Sequence, residues 1–154
     1  MIKVIALISS LLMVLISCRY DHMAATDSQS KLIVKTGTIC GWCAVNDTLS
    51  IRGDSIRYVN YAGCNNVAPV VEKKGQLLSE ELDGLLSKLD INELKKIDLN
   101  SCNVCVDGCD DWIFFDNGVE SHYIRFGKGD PKLETIRTFV DELNAIKARY
   151  SPEK

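Results

Sequence analysis

Apolar and polar positions along this chain fall into short units that each predict an element. Val4 to Ile16 is apolar except for Ser9 and Ser10. Residues 19–30 are small and polar, too poor in large apolar groups to offset the entropy of ordering, and read as a flexible tether. Lys31 to Ile39 is rich in β-branched residues (Ile33, Val34, Thr36, Thr38, Ile39) and predicts a strand. Thr48 to Arg52 alternates polar and apolar, Gly53-Asp54 is a turn pair, and Ser55 to Tyr61 resumes in β-type residues, so a hairpin is expected. Ala62 to Gln76, with Gly63, Asn65, Asn66, Pro69 and Gly75, reads as an irregular connection.

Ser79 is placed to cap a helix, Glu80 and Glu81 bring negative charge to its first turn, and Leu82, Leu85, Leu86 and Leu89 share one face. A shorter helix is expected at Ile91 to Ile97. Beyond a cysteine-rich loop, Asn100 to Asp111, the apolar runs Trp112-Ile113-Phe114-Phe115 and Val119 to Phe126 flank Asp116-Asn117-Gly118, a hairpin signal because Asn and Gly both tolerate positive φ. Asp130 then caps, Pro131 takes the first helical position, and Leu133, Ile136, Phe139, Val140, Leu143 and Ile146 form one stripe running to Arg149. The order β-β-β-α-β-β-α, with hairpins and one-sided helices, predicts an α+β two-layer sandwich: a mainly antiparallel sheet of about five strands covered by two helices.

The apolar run near the start follows Lys3 and precedes Ser17-Cys18, the layout of a secretory signal, and it falls short of the roughly twenty residues that cross a bilayer as a helix. Leu15-Ile16-Ser17-Cys18 resembles the lipobox of bacterial lipoproteins. That resemblance implies a cleavable signal at 1–17 and a diacylglyceryl group on the Cys18 sulfur, which makes 18–30 a lipidated tether. The remaining length suits a single domain at 31–150 with a short tail at 151–154. The resemblance also implies a cell-envelope location on a lipid anchor, with Arg19, where inner-membrane retention prefers Asp, leaning towards the outer membrane.

Composition narrows the partners. The formal net charge is −3, Lys3 is the signal's only charge, and no basic run exceeds the pairs Lys73-Lys74 and Lys95-Lys96, so nucleic acid is set aside. Of seven cysteines, Cys18 is assigned to lipid, which leaves an even set: Cys40, Cys43, Cys64, Cys102, Cys105 and Cys109. In an exported domain that set predicts disulfides, whose connectivity is open.

Cys40-Gly41-Trp42-Cys43 has redox spacing, but the residues that follow are strand-like, whereas a reactive thiol of this type sits at a helix N-terminus. Cys40/Cys43 with Cys102/Cys105 could instead supply four thiolates to zinc, although 58 residues between the pairs exceed a compact ribbon. Bridges linking the 40/43 region, Cys64 and the 102–109 loop are preferred. In one extended strand Cys40 and Cys43 would have Cα atoms about 10 Å apart and would need outside partners. Asp107, Asp110, Asp111 and Asp116 do not match a calcium loop and read as a solvated acidic loop. His22 falls in the tether and His122 in a strand, where a surface or packing role is expected in place of a catalytic base, and no hydrolase or phosphate-loop motif occurs.

Cys-Gly-Trp-Cys before one hairpin, with Cys102-x2-Cys105-x3-Cys109-Asp110-Asp111-Trp112 before another and a Pro-started helix, resembles small lipoproteins of Bacteroidota over about Gly37 to Ala148. No activity or functional residue comes with the resemblance. The expectation is a non-catalytic envelope module, binding or structural, that meets a protein or ligand at the membrane, with no cofactor and no metal. The alternatives are a thiol-redox or zinc protein using the two cysteine clusters, and an inhibitor of a hydrolase.

Overall fold

The computed structural model describes residues 31–61 and 69–152, and of Cys43 the backbone alone. The signal segment, Cys18, the tether with His22, Cys64 and the last two residues lie outside the described residues. Within them the strands are β1 (Ile33–Cys40), β2 (Asn46–Arg52), β3 (Ser55–Tyr61), β4 (Pro69–Gln76), β5 (Cys109–Asp116) and β6 (Ser121–Phe126). The α-helices are α1 (Ser79–Ser87), α2 (Ile91–Lys96) and α3 (Arg137–Tyr150), and short 3-10 turns occupy Gly41–Cys43, Asn103–Val106 and Pro131–Ile136.

One sheet runs in the order β4-β3-β2-β1-β5-β6, and every neighbouring pair is antiparallel. The chain is therefore α+β, with six described strands and three helices where five and two were expected. The additional strand is β4, read from sequence as irregular connection. It begins with Pro69, carries Glu72, Lys73 and Lys74 and is exposed along most of its length, so it lacks the apolar alternation of a half-buried strand. Those are the features that protect a sheet edge from pairing with another chain. The opposite edge, β6, is partly covered because Arg125 exchanges backbone hydrogen bonds with Leu99 and Ser101, both 2.9 Å.

Period-two alternation puts Val34 and Thr36 of β1, Leu49 and Ile51 of β2, Ile56 and Tyr58 of β3, Ile113 and Phe115 of β5 and Ile124 and Phe126 of β6 on one face. All are buried, and the apolar ones share one core cluster with Leu82 and Leu85 of α1, Leu94 of α2 and Phe139, Val140, Leu143 and Ile146 of α3. The Gly53-Asp54 hairpin forms as expected, with Gly53 at φ 57°.

Three local expectations change. Ser79 is the first helical residue and Leu78 takes the cap position, where its N–H donates to the Glu81 carboxylate at 3.1 Å. That carboxylate supplies half of a capping box, and the Glu81 N–H donates to the Leu78 carbonyl at 3.0 Å, so the first turn closes without a side-chain acceptor at the cap. Asn117-Gly118 does not make a two-residue turn: Asp116 pairs with Ser121, and the Asn117 side chain accepts from the backbone of Val119 and Glu120 to close a four-residue loop. The last helix is divided, because Ile136 leaves helical geometry (φ −118°, ψ 12°) between the Pro131 turn and α3, while the apolar stripe stays buried through both pieces.

Gly37 in β1 lies under the Trp112 indole, where an ideal Cβ would come within 2.7 Å of Cζ2 and would also strike the Asp47 carbonyl. Gly37→Ala is expected to cost about 1–3 kcal/mol through this overpacking. Urea unfolding should show a lower midpoint at unchanged slope; an unchanged midpoint would contradict the packing described here.

Candidate functional site

The cysteines assemble at one end of the sheet. Cys40 ends β1, Cys109 opens β5, and the two are directly paired neighbours with Cα atoms 4.0 Å apart, joined by a disulfide that spans 69 residues of sequence. Cys102 and Cys105 are joined within the Asn103–Val106 turn, where the Cys105 N–H also donates to the Cys102 carbonyl. Cys40 thus takes a partner outside its own Cys-x-x-Cys. Cys40 and Cys43 do not share a strand, since the chain turns at Gly41. With the sulfurs of Cys40, Cys102 and Cys105 each in a bond, the four-thiolate zinc arrangement lacks its donors. Among the described residues, no group of three or more His, Cys, Asp or Glu is arranged to hold a metal.

The two turns abut. Gly41 N–H donates to the Gly108 carbonyl at 2.8 Å, and a Cβ on Gly41 would lie 2.6 Å from Asp107 Cα, so only glycine permits this approach. Each turn carries one non-glycine residue in the left-handed region, Trp42 (φ 53°) and Asp107 (φ 61°). Trp42 is 89% exposed and Val106 is 77% exposed. Two apolar side chains therefore face solvent from turns fixed by disulfides and backbone hydrogen bonds.

The acidic residues of this region do not form one solvated loop. Asp110 is fully buried and is the anchor of the Asn103–Val106 turn, accepting from Ser101 Oγ at 2.6 Å, Asn103 N at 3.2 Å, Asn103 Nδ2 at 2.9 Å and Val104 N at 3.1 Å. Burial disfavours its charge, but those donors, with help from the Arg125 charge, prevail and hold its carboxyl below the ordinary range. Asp111 accepts from Thr38 Oγ1, and Asp116 from Gly118 N. His122 is half-buried on β6, with its Nε2 3.0 Å from the Ile97 carbonyl.

Beside the Cys40–Cys109 disulfide, on the helix side of the sheet, lies a cleft of about 660 Å³ whose lining includes Thr38, Asp47, Tyr58, Asn60, Asn144 and Lys147. Asp47 on β2 accepts from Thr38 N at 2.8 Å, Lys147 Nζ at 3.2 Å and Tyr58 Oη at 3.3 Å. Lys147, in the last turn of α3, also donates to Thr38 Oγ1 at 2.7 Å, and that hydroxyl in turn donates a hydrogen bond to Asp111 Oδ1. The ion pair is largely buried, with side-chain exposures of 13% and 10%. Burial, and then the Asp47 charge, push the Tyr58 hydroxyl pKa up, so it stays a proton donor. The groups bind one another, and the cleft wall is rigid and polar.

No protein-family model matches the chain, nor does any curated protein. Sequence reading placed Cys40, Cys102, Cys105 and Cys109 at the site and missed Asp47, Tyr58 and Lys147, because Lys147 and Asp47 stand 100 positions apart and nothing local marks them as partners.

Asp110→Ala is expected to lower stability by about 2–3 kcal/mol, since buried donors lose a charged acceptor. The sign with pH follows from the lowered pKa. The contribution of Asp110 is complete above the unfolded carboxylate value, about 3.9, and is lost as pH falls through the lower native value. Chemical unfolding of wild type and variant between neutral pH and strong acid should show a gap that closes only in strong acid; a gap already absent at pH about 5 would refute the role given to Asp110.

Proposed function

We propose that this chain is a membrane-anchored envelope protein that works by binding, with the cysteine-stapled end as its recognition surface. Trp42 carries the reading. A large aromatic side chain is almost wholly exposed while its backbone is held in the left-handed region, which costs an L-residue of order 1–3 kcal/mol and marks functional loops. Rigid exposed aromatics are the side chains that anchor interfaces, because they bring much contact area and lose little entropy. The neighbouring cleft adds preorganised polar groups of both charges. The signal peptide, the lipid on Cys18, the tether and the outer-membrane placement belong to the same proposal and rest on the lipobox. The finer architecture, a two-layer sandwich, is consistent with the single core between the helices and one sheet face.

A photoreactive phenylalanine analogue installed at position 42 of the full chain in cells should give a discrete cross-linked adduct. The same residue at position 119, where Val119 is 92% exposed on the opposite hairpin, should not. Adducts from both positions alike, or from neither, would defeat the binding role of this end.

The thiol reading keeps one supporting observation, now at a different pair. Cys102 and Cys105 are both exposed and bonded within a single turn, the arrangement from which a Cys-x-x-Cys exchanges with an incoming thiolate. Thiol counting on the purified mature chain, before and after mild reductant, with metal analysis alongside, separates the readings. No free thiol at the four bonded cysteines, slow reduction and no stoichiometric zinc are expected; a rapidly cycling Cys102/Cys105 pair would turn the assignment to redox exchange.

A further inference from the structure

The sheet face away from the helices carries a second feature, at the other end of β1. Register places Lys35 of β1, Ser50 of β2, Arg57 of β3 and Lys74 of β4 in one cross-strand row, with Arg52 in the next. Adjacent strands lie about 4.8 Å apart, so four cations from four strands converge on a groove of about 490 Å³. Hydroxyls of Ser50 and Ser55 complete its polar lining, and no carboxylate is among the lining residues. Glu72, just outside, pairs with Arg57 at 3.0 Å and Lys74 at 3.3 Å. Among the described residues, Lys35 faces the Phe114 ring, 5.6 Å from its ammonium to the ring centroid, and neither Lys35 nor Arg52 has an ion pair. Asp116 shares the face one strand beyond Ile33 and is occupied by the Gly118 N–H at 2.7 Å. On a protein of net charge −3, this is a local reversal of sign.

We propose that this groove seats the phosphate-bearing headgroups of an anionic membrane surface. Two observations select a membrane as the occupant. The lining is complementary to phosphate, with guanidinium and ammonium donors beside hydroxyls. Ile33, the first residue of β1, lines the same groove, so the chain preceding the domain joins it at the groove's rim. Residues 19–30 span at most about 40 Å when fully extended, and a lipid on Cys18 therefore keeps the groove within reach of the bilayer. This step rests on the anchor proposed above. The groove then supplies the second, electrostatic signal that a lipid chain requires for stable attachment, and it turns the cysteine-stapled end, at the far end of β1, away from the surface.

The test uses the full mature chain carrying Cys18→Ala, so that no acyl chain contributes, in sedimentation with vesicles of phosphatidylcholine alone or with phosphatidylglycerol added. Binding to the anionic vesicles only, weakened by salt, is expected. Lys35→Gln with Arg52→Gln should reduce partitioning at least tenfold, while Lys95→Gln with Lys96→Gln, whose ion pairs lie elsewhere, should change it little. Lys74→Gln, on an exposed side chain of the edge strand, is a second variant that leaves the fold intact and should weaken binding several-fold. Equal binding to neutral vesicles, equal loss in the two double variants, or no vesicle binding with displaceable binding of glycerol phosphate instead would each overturn the membrane assignment. Lipid labelling of the wild-type chain at Cys18 is read separately: absent label defeats the anchor alone, and absent vesicle binding defeats the groove alone.

Discussion

Strand β1 is paired on both sides, and its pairing with β5 is the constraint on which the rest of the structure depends. β2 is reached from β1 through a short turn, so that ladder forms locally, but β5 arrives only after two more strands and two helices. Closing so long a loop is costly in entropy and makes the pairing slow to form. The Cys40–Cys109 disulfide sits at the end of this ladder, and a crosslink spanning 69 residues removes about 4 kcal/mol of unfolded-state freedom by the chain-entropy estimate. Without β1 against β5 there is no continuous sheet for the helices to cover, no floor for the cleft and no juxtaposition of the two exposed turns.

The same pairing sorts chemistry onto two faces. Positions of one parity along β1 carry Val34 and Thr36 into the core and bring Thr38 to the cleft, where Asp47 and Asp111 are its cross-strand neighbours. Positions of the other parity carry Lys35 and Gly37 to the face away from the helices, with Gly37 leaving room for Trp112 and Lys35 joining cations from β2, β3 and β4. A slip of one residue would exchange these sets. Register is therefore what puts the cleft, with its Asp47–Lys147 pair, on one face of the sheet and the basic groove on the other.

Legibility followed how local each signal is. The Gly53-Asp54 hairpin, the Asp130 cap and the stripe from Leu133 to Ile146 were readable because turn chemistry and helical period act within a few residues. β4 was not, since an edge strand has no buried face to imprint an alternation, and Glu72, Lys73 and Lys74 look like any solvated run. The break at Ile136 was hidden because a 3-10 turn and an α-helix can bury the same apolar stripe. Four of the six cysteines form the two described bridges: Cys40–Cys109 follows tertiary register, which no local signal carries, whereas Cys102–Cys105 closes within its own Cys-x-x-Cys instead of linking separate regions as expected. The basic groove was invisible because its cations never form a run in the sequence: each comes from a different strand.

The Lys147–Asp47 pair shows why the cleft is more than a packing defect. Removing two charges from water is costly, and apolar residues of similar size would commonly give equal or better stability. The pair is retained in a geometry that satisfies it from several sides: Thr38 and Tyr58 bind the same network, and Lys147 sits in the last turn of α3, where a cation is favoured by the helix dipole. The network also ties the C-terminal end of α3 to β1 and β2 beside the Cys40–Cys109 bond, fixing the helix over the sheet at the end that presents Trp42. A polar wall held in one arrangement before any ligand arrives loses little entropy on binding. The disulfide, the buried ion pair and the left-handed turn thus act on one end of the molecule in the same sense, each limiting motion where recognition is proposed, while the opposite end is left to face the surface that carries the chain.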